Sequence, residues 1–421
     1  MFNRNISVIG LGYIGLPTAA IIASKGINVI GVDINKDVVD TINTGKIHIV
    51  EPDLENIVFE AVKNGFLKAV FQPEPADIYI IAVPTPFLAP DEENKIPKPD
   101  LSFIKEASKL ISKVLKKGDL VILESTSPVG TTERLSSWLS EETNDLSFPH
   151  THGEDSDIRI AYCPERVLPG QVIKELVTND RIIGGITKKC SKSAIELYKT
   201  FLKGKCVSTS SRTAEMAKLT ENASRDVSIA FANELSIICE NLNVDVRELI
   251  DLANRHPRVN ILQPGCGVGG HCIPVDPWFI ASQNPHQANL IKCAREINDS
   301  KPDWIVEKVK VEISKFLSEN KETTKNNFKI ACYGLAFKPN IDDLRESPAL
   351  KIAKKLGIIF NGQVIAVEPN ISTYNANEFE LVSLQKAIDS ADIHVFLVGH
   401  TEFKDIQVDK KNALDFCGLL N

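Results

Sequence analysis

The segment 5–17, NISVIGLGYIGLP, decides the fold of this chain. Its β-branched start predicts a short strand, and the glycines that follow have the spacing G-x-G-x-x-G. Apolar residues from 16 to 25 predict a helix that ends at Gly26, and a second strand at 28–32 ends at Asp33. Strand, glycine-rich turn, helix, strand and acid in this order predict a Rossmann unit that binds a dinucleotide.

Each glycine of this turn has its own predicted task. Gly10 permits the tight turn, Gly12 lets the backbone approach a pyrophosphate, and Gly15 allows the helix to pack closely on the strand. The N-terminus of the helix offers N–H groups and a positive dipole to the phosphates. Asp33 can accept hydrogen bonds from the adenosine ribose and repel a 2′-phosphate, so we expect NAD rather than NADP. The alternative is a tight turn that binds no ligand.

Three further strands are predicted in the first half of the chain, and a loop with polar side chains follows each of them. These strands and loops are 77–83 followed by PTP, 120–123 followed by ESTSP, and 159–162 followed by CPER. In an open α/β sheet, loops at the carboxyl ends of strands form the crevice that binds ligands. We therefore expect binding and catalytic side chains in these loops.

The character of the sequence changes after about residue 205. Residues 213–241 contain no glycine or proline and carry apolar residues at helical spacing, which predicts one unusually long helix. Helical patterns continue to about residue 318, and the polar segment 318–327 predicts a linker. Beyond it, 328–334 and 364–368 repeat the opening strands, the turn glycine and the terminal acid. This repeat lacks G-x-G-x-x-G, so we expect it to hold a different ligand.

The predicted fold class is α/β. We expect two Rossmann-like, doubly wound parallel-sheet domains joined by a helical middle domain with a long central helix. The predicted domains are 1–205, which binds NAD, 206–318, which is helical, carries catalytic residues and mediates dimerisation, and 319–421, which is Rossmann-like. The apolar positions of the long helix extend around more than one face, which predicts a homodimer or a higher homo-oligomer.

Composition excludes several classes of protein. Hydrophobic residues make up 43% and charged residues 24% of 421 residues, the balance of a globular protein that buries sizeable cores. The net charge is −7 without blocks of like charge, so we expect no nucleic-acid partner. Apolar stretches are shorter than the about 18 residues of a membrane span, and the apolar N-terminus is better explained by the glycine turn than by a targeting segment. Nine cysteines without C-x-x-C pairs indicate reduced thiols in a cytoplasm.

The segment 265–276, GCGVGGHCIPVD, is the most informative for chemistry. Its glycines give a loop that can wrap a ligand. Pro274 suits the first turn of a helix, which would leave Cys272 near the helix N-terminus, where the dipole favours the thiolate. Asp276 lies about one helical turn further on and can face the same pocket. A cysteine beside a carboxylate in such a loop suits covalent catalysis with acid–base assistance.

Other cysteine chemistry remains open in this loop. Cys266 lies in the same segment, and spacing alone does not exclude it as the reactive thiol. A zinc site built from Cys266, His271 and Cys272 matches no usual zinc-finger spacing, and we expect no metal.

One pair of residues on the long helix and two basic segments are further candidates for the site, and the two segments suit an anionic ligand. Lys218 and Asn222 are four residues apart and share a face of the predicted long helix. The segment 255–258, RHPR, and the segment 338–345, which begins at Lys338 and ends at Arg345, are rich in donors that suit phosphates. The alternative for each is a solvated surface or a surface ion pair.

Taken together, these motifs make the sequence similar to the UDP-glucose/GDP-mannose dehydrogenase family over essentially the whole chain. The matching motifs are GLGYIGLP at 10–17, VPTP at 83–86, STSPVG at 125–130, CPER at 163–166, AEMAKLTEN at 214–222, GVGGHCIPVDP at 267–277 and LAFKPNIDDLRESP at 335–348. Within the family, NRHPRVNILQPG at 254–265 and VDPWFIASQNP at 275–285 resemble the branch that oxidises UDP-N-acetyl-D-mannosamine.

The resemblance implies two successive NAD-linked oxidations at C6 of a UDP-sugar, from alcohol to aldehyde to acid. It makes Cys272 the nucleophile that captures the aldehyde as a thiohemiacetal, and a second oxidation leaves a thioester that water hydrolyses. Lys218 and Asn222 would stabilise the oxyanion, and Asp276 would assist proton transfer and water. The resemblance also gives Glu165 and Thr126 acid–base roles near C6.

The binding residues that the resemblance implies lie in the same motifs. Those for the cofactor are Gly10, Gly12, Tyr13, Ile14, Gly15, Asp33, Thr85, Thr126 and Arg345; those for the substrate are Glu165, Arg166, Val167, Lys218, Asn222, Arg258, Gly265 and Lys338. Lys338 and Arg345, in the domain to which the resemblance assigns the UDP-sugar, would hold that substrate or the closed interface. Arg258 would reach the active site of a neighbouring subunit, which would make the dimer obligatory.

Three alternative functions remain at this point. UDP-N-acetylglucosamine or UDP-glucose could be the substrate, because no residue identifies the C2 substituent. A two-electron hydroxyacid dehydrogenase also joins a Rossmann domain to long helices, but it does not explain Cys272 or the second Rossmann-like domain. A non-catalytic NAD-binding sensor is disfavoured by the number of reactive side chains in loops and at helix ends.

Overall fold

The structure is a computed structural model of the chain. It describes residues 4–88, 96–168, 170–270, 272–320 and 328–420. The chain divides into two compact units, Met1–Thr220 and Glu221–Asn421, and each is described by itself.

The first unit is built on one large sheet. Its strands in the described residues are β1 (Ile6–Ile9), β2 (Val29–Val32), β3 (Leu67–Val70), β4 (Ile78–Ile81), β5 (Leu120–Leu123), β6 (Arg159–Tyr162), β7 (Arg181–Gly185) and β8 (Cys206–Ser210). Their order in the sheet is β3-β2-β1-β4-β5-β6-β7-β8. Neighbouring strands of this sheet are parallel except β6 and β7, which run antiparallel.

Both faces of this sheet are covered, which explains its continuous apolar strands. Ile78 and Ile80 pack into one core cluster, whereas Tyr79 and Ile81 pack into another. Because successive residues of a strand point to opposite faces, the two clusters lie on the two sides of the sheet. This is the doubly wound arrangement that the sequence predicts.

The helices of the first unit connect these strands. They are α1 (Gly15–Ala23), α2 (Lys36–Asn43), α3 (Leu54–Lys63), α4 (Ser102–Ser112), α5 (Thr131–Glu141), α6 (Pro149–His152), α7 (Val172–Thr178) and α8 (Lys188–Tyr198). The long predicted helix is α9 (Ser211–Leu242), which has 32 residues, and the division between the two units falls within it. The predicted domain 206–318 includes β8, but β8 pairs in parallel with β7 and therefore belongs to the first sheet.

The second unit contains a smaller parallel sheet. Its remaining helices are α10 (Val246–Ala253), α11 (Asp276–Gln283), α12 (Asn289–Glu319), α13 (Pro348–Ile359) and α14 (Leu384–Ser390), and its strands are β9 (Ile330–Tyr333), β10 (Val364–Val367), β11 (Glu380–Leu381), β12 (Ile393–Phe396) and β13 (Ala413–Asp415). The strand order in the described residues is β11-β10-β9-β12-β13. The first strand of the repeat, β9, therefore lies between β10 and β12, as β1 lies between β2 and β4 in the first sheet.

The predicted fold class is confirmed. Along the chain, two largely parallel sheets with helical connections come before and after a helical stretch. Most of the predicted linker 318–327 lies outside the described residues, and its first two residues belong to α12. The predicted domain boundaries stay a prediction apart from the placement of β8. No helix within the described ranges is long and apolar enough to cross a membrane.

Candidate active site

The turn between β1 and α1 has the geometry expected of a phosphate-binding turn. Gly10 has a φ of +90°, and a Cβ there would lie 2.7 Å from the carbonyl oxygen of Ala82. A Cβ on Gly15 would lie 1.8 Å from the carbonyl oxygen of Gly10, so only glycine allows α1 to start so close to the strand. A Cβ on Gly12 would meet nothing within 4 Å. Gly12 thus leaves open space beside the turn where a ligand can approach.

The start of α1 suits an anion. Its N-cap residue, Ile14, makes no side-chain hydrogen bond, and no acidic residue lies in the first turn. Tyr13 is 43% exposed beside it. An uncapped helix N-terminus without carboxylates retains its positive dipole for a phosphate.

Asp33 is positioned by the same turn. One carboxylate oxygen accepts the N–H of Leu11 at 3.0 Å, and the other accepts the N–H of Asn35 at 2.9 Å. The side chain is half-buried at the end of β2. An ionised carboxylate has about four acceptor positions, so two are left for the hydroxyls of a ribose.

The loops after β4 and β5 are hydrogen-bonded to each other. The hydroxyl of Thr85 donates to the carbonyl of Thr126 at 2.8 Å, and the hydroxyl of Ser125 donates to the carbonyl of Val83 at 2.7 Å. Thr85 and Thr126, two predicted cofactor contacts, therefore lie in one fixed pair of loops at the carboxyl end of the sheet.

Glu165 is buried at the end of the neighbouring strand. Its Oε1 accepts the N–H of Arg166 at 2.6 Å, and its Oε2 lies 2.6 Å from the guanidinium Nη2 of Arg181. Arg181 is itself only 4% exposed and is 3.8 Å from Glu124. Burial raises the pKa of Glu124 to about 7, against the opposing charge of Arg181. Arg181 and Glu124 were not predicted as partners of Glu165, because ion pairs between neighbouring strands leave no local pattern in the sequence.

The two residues that follow Glu165 have different surroundings. Arg166 is half-buried, and its guanidinium donates to the carbonyl of Asp180 at 3.3 Å. Val167 packs against the core beneath the sheet. Val167, one of the predicted substrate-binding residues, therefore has a packing role in the structure.

Lys218 is 8% exposed on α9, so the alternative of a solvated surface lysine is wrong. Glu215, one turn earlier, is fully buried and accepts the N–H of Gly130 and of Thr132 at 2.6 and 2.7 Å. The hydroxyl of Thr132 donates to it at 2.6 Å. Burial raises the pKa of Glu215, and these hydrogen bonds oppose that shift. Glu215 thus fixes the turn of α9 that carries Lys218 to the start of α5.

In the second unit, three predicted catalytic residues lie together. The amide of Asn222 donates to the carboxylate of Asp276 at 2.5 Å, and Asp276 is 2% exposed. The backbone N–H of Asp276 donates to the carbonyl of Cys272 at 2.9 Å, which closes one helical turn between them. The Cys272 side chain is exposed. This arrangement joins an accessible thiol, a carboxylate and an amide.

The predicted start of the helix after Cys272 is wrong by two residues. The helix α11 begins at Asp276, and the proline in its first turn is Pro277 rather than Pro274. Proline is tolerated in the first turn of a helix, so the sequence pattern does not show which of the two prolines lies there. Cys272 therefore lies in the turn that precedes the helix.

The structure separates the two cysteines of this loop. Cys266 is 7% exposed, and its thiol donates to the carbonyl of Leu397 at 3.2 Å. Burial raises the pKa of Cys266 to about 12, so its thiolate is scarce at neutral pH. Its exposure therefore favours Cys272 over Cys266 as the reactive thiol.

A buried polar network supports the glycine loop. The N–H of Gly265 donates to the amide oxygen of Asn233 at 2.9 Å, and Asn233 donates to Asn298 at 2.9 Å. Asn298 in turn donates to Asp226 at 2.8 Å, and Asp226 accepts the guanidinium of Arg295 at 2.5 Å. These four supporting side chains were not predicted, because each lies on an apolar-patterned helix.

The remaining predicted binding residues lie on surfaces of the second unit. Lys338 and Arg258 are exposed. The guanidinium of Arg345 pairs with Asp343 at 2.6 Å and is 43% exposed. Arg345 is therefore part of a surface ion pair, one of the alternatives that its sequence leaves open.

The candidate zinc set includes His271, which lies outside the described residues. Within the ranges that the structure describes, no group of three His, Cys, Asp or Glu side chains is placed to hold a metal ion.

Comparisons with known proteins match three parts of the chain to the three domains of one family. Residues 4–202 match the NAD binding domain of the UDP-glucose/GDP-mannose dehydrogenase family, residues 212–300 its central domain, and residues 331–418 its UDP binding domain.

Individual relatives are similar over nearly their full length. A UDP-N-acetyl-D-mannosamine dehydrogenase from Campylobacter jejuni is 61% identical, with 99% of each chain covered. An NDP-N-acetyl-D-galactosaminuronic acid dehydrogenase from Ralstonia nicotianae is 58% identical, covering 97% of this chain and 93% of that one. The solved UDP-D-ManNAc dehydrogenase from Pyrococcus horikoshii is 37% identical with a TM-score of 0.83, covering 99% and 96% of the two chains.

Proposed function

Because the chain belongs to the UDP-glucose/GDP-mannose dehydrogenase family, we propose that it oxidises UDP-N-acetyl-D-mannosamine at C6 to the uronic acid, with NAD as the oxidant. The observation that carries the proposal is the exposed thiol of Cys272, one turn before a buried Asp276 that accepts a hydrogen bond from Asn222. A two-electron dehydrogenase needs no such nucleophile.

The first unit fits the cofactor. Gly12 would face its pyrophosphate, Asp33 would accept hydrogen bonds from its ribose, and the start of α1 would favour its negative charge. Tyr13 and Thr85 remain proposed contacts. NAD, when bound, is the two-electron oxidant of each step.

Cys272 makes the second oxidation accessible. We infer that its thiolate adds to the C6 aldehyde and forms a thiohemiacetal, whose oxidation leaves a thioester. Water then attacks the thioester carbon, the carbon–sulfur bond breaks, and the acid leaves with the thiolate restored. A thiolate is the better nucleophile and leaving group at neutral pH, so a hydroxyl in its place would slow both steps.

Proton transfer is proposed for the carboxylates around these steps. Asp276, held by Asn222, would assist the attacking water, and Asn222 and Lys218 would stabilise the oxyanion. Glu165 and Thr126 keep their predicted acid–base roles near C6.

The choice of sugar rests on the relatives. The similar enzyme from C. jejuni is named for UDP-N-acetyl-D-mannosamine, whereas the one from R. nicotianae is named for an N-acetyl-galactosamine derivative. Residues 331–418 match a UDP binding domain, which supports a UDP-sugar. Lys338, Arg258 and Gly265 are the proposed contacts, and the uronic acid product would serve a surface polysaccharide.

A substrate panel tests this proposal. NADH absorbance is followed with UDP-N-acetyl-D-mannosamine, UDP-N-acetylgalactosamine, UDP-N-acetylglucosamine and UDP-glucose at matched concentrations. We expect the highest kcat/KM with UDP-N-acetyl-D-mannosamine. A clear preference for another sugar overturns the substrate, and no NADH with any of them overturns the function.

A homodimer through residues 213–241 is also proposed. Phe231 and Ile238, which are seven residues apart on α9 and so share a face, are 50% and 45% exposed. A second copy of this helix would cover them.

None of the nine cysteines, all of which lie within the described residues, forms a disulfide. This supports a reducing compartment such as the cytoplasm.

A further inference from the structure

The second sheet repeats the glycine turn of the first. Gly334 follows β9 with a φ of +87°, and Gly10 follows β1 with a φ of +90°. The N–H of Gly334 donates to the carbonyl of Val367 at 2.9 Å, and that of Gly10 donates to Val32 at 2.8 Å. The backbone at the end of each central strand is therefore built in the same way.

The acid at the end of the second strand is also repeated. Glu368 follows β10 and accepts the N–H of Leu335 at 2.7 Å, as Asp33 follows β2 and accepts the N–H of Leu11 at 3.0 Å. In a dinucleotide-binding unit this position belongs to the carboxylate that meets the ribose.

The surroundings of the two carboxylates differ. Glu368 is fully buried, and its Oε2 also accepts the N–H of Ala336 at 3.0 Å and lies 3.1 Å from Nε2 of His400. Its Oε1 accepts the N–H of Asn370 at 3.1 Å. Although burial acts to raise it, the bonds from His400 and the backbone lower the pKa of Glu368 to about 2. The ionised carboxylate of Glu368 thus accepts hydrogen bonds from groups of the protein itself, and no acceptor position is left for the hydroxyls of a ribose.

His400 connects this carboxylate to a surface segment. Its side chain is fully buried, and its Nδ1 lies 3.0 Å from the backbone N–H of Asn340. Because a backbone N–H only donates, Nδ1 must be the acceptor, and Nε2 carries the proton that faces Glu368. The amide oxygen of Asn340 accepts the N–H of Thr401 at 2.9 Å.

The segment 335–340 is therefore tied at both ends. Glu368 holds its start through two N–H groups, and His400 holds its end at Asn340, whose φ of +60° is a left-handed conformation that needs support. The exposed Lys338 lies between these two attachments. The segment lies within the match to a UDP binding domain.

We propose that the Glu368–His400 pair positions the segment 335–340 so that Lys338 meets the diphosphate of the substrate. In the first unit the equivalent carboxylate stays available to a ribose, whereas here it shapes the loop of its own domain. Glu368 and His400 touch no substrate in this scheme; they act through Lys338. The inference rests on the proposed function, because the diphosphate is that of the UDP-sugar.

Binding of UDP measured by calorimetry, together with the kinetic constants, tests the pair. His400→Gln keeps a donor for Glu368 but leaves the N–H of Asn340 without its acceptor, so we expect the Kd for UDP and the KM for the UDP-sugar to rise about tenfold. The KM for NAD and kcat should stay within about twofold. His400→Asn places an acceptor near Nδ1 but removes the donor to Glu368, so it should recover only part of the UDP affinity.

Two further variants separate positioning from general stability. His394 is a buried histidine of the same unit that bonds Tyr333 at 2.8 Å, so His394→Gln perturbs the core and should leave the Kd for UDP unchanged. Lys338→Ala combined with His400→Gln should weaken UDP binding no further than Lys338→Ala alone. Full additivity, or a rise in the Kd with His394→Gln equal to that with His400→Gln, overturns the positioning role.

A substitution at an exposed residue provides the test if the His400→Gln variant does not fold. Asn340→Ala removes the acceptor of Thr401 and strains the left-handed residue at the surface, so it should raise the Kd for UDP in a folded protein. An unchanged Kd with Asn340→Ala contradicts the proposal. If the unchanged protein binds neither UDP nor the UDP-sugar, the proposed function fails instead.

Discussion

Replacing Glu215 by glutamine tests how the helix that carries Lys218 is fixed. The carboxylate of Glu215 accepts three hydrogen bonds from Gly130 and Thr132 at 2.6 to 2.7 Å. The N-cap residue of α5, Gly130, supplies no side-chain cap, so Glu215 caps this helix from a distant part of the chain.

The expected loss of stability follows from these contacts. If the amide oxygen faces Thr132, the NH₂ group faces the N–H of Gly130, which loses its acceptor at a cost of about 1–3 kcal/mol. Loss of the negative charge at the start of α5 adds up to about 1 kcal/mol. We therefore expect Glu215→Gln to lower the free energy of unfolding by about 1–4 kcal/mol.

Urea unfolding and hydrogen exchange measure the two parts of this effect. The N–H groups of Gly130 and Thr132 should exchange faster in the variant, as measured by mass spectrometry of the peptide that spans them. Glu133→Gln is the matched control, because Glu133 lies in the same helical turn and pairs with Arg212 while 36% exposed. It should cost less than about 1 kcal/mol. Equal losses in the two variants would refute the reasoning.

Three further predictions concern the cofactor, a buried carboxylate and the assembly. Asp33→Ala should weaken the preference for NAD over NADP, measured as the ratio of kcat/KM values, and equal values in the unchanged protein contradict the role of Asp33. Because burial raises the pKa of Glu124 from 4.5 to about 7, its folded form holds a proton that the unfolded chain releases. The stability that this protonated carboxyl contributes is complete below pH 4.5 and is lost as the pH rises through about 7. Between these pH values the free energy of unfolding should fall with pH by up to about 1.4 kcal/mol per unit more than it does in Glu124→Gln. Parallel pH profiles of the unfolding free energy in the two proteins would exclude this effect of Glu124. Light scattering at micromolar concentration should give at least a dimer through residues 213–241, and a fully active monomer contradicts it.

Local patterns were enough to predict the elements that frame the site. The strands 120–123 and 159–162 have the predicted bounds, and the first of them is a continuous apolar run. The helix α9 lacks helix breakers over its whole length. The glycine turn was predictable because Gly10 and Gly15 meet steric limits that no other residue satisfies. Such features depend on neighbours in the sequence.

Long-range polar contacts could not be predicted in this way. Glu215 meets Thr132 across 83 residues, and Asn222 meets Asp276 across 54. The family resemblance pointed to Asn222 and Asp276 individually, but nothing in the chain indicated Arg181 or His400. A buried charged residue needs a partner, and the sequence does not show which residue supplies it.

The number of NADH molecules formed per sugar consumed tests the central claim most directly. Two NADH, a uronic acid and little free aldehyde are expected, since Cys272 retains the aldehyde for a second oxidation. Cys272→Ala should abolish acid formation, whereas Cys266→Ala, which removes a buried thiol, should leave most of the activity. Cys272→Ser is expected to stall as a covalent ester, because an alkoxide is the poorer leaving group. One NADH per sugar, or normal turnover of Cys272→Ala, would contradict the account and leave a two-electron dehydrogenase.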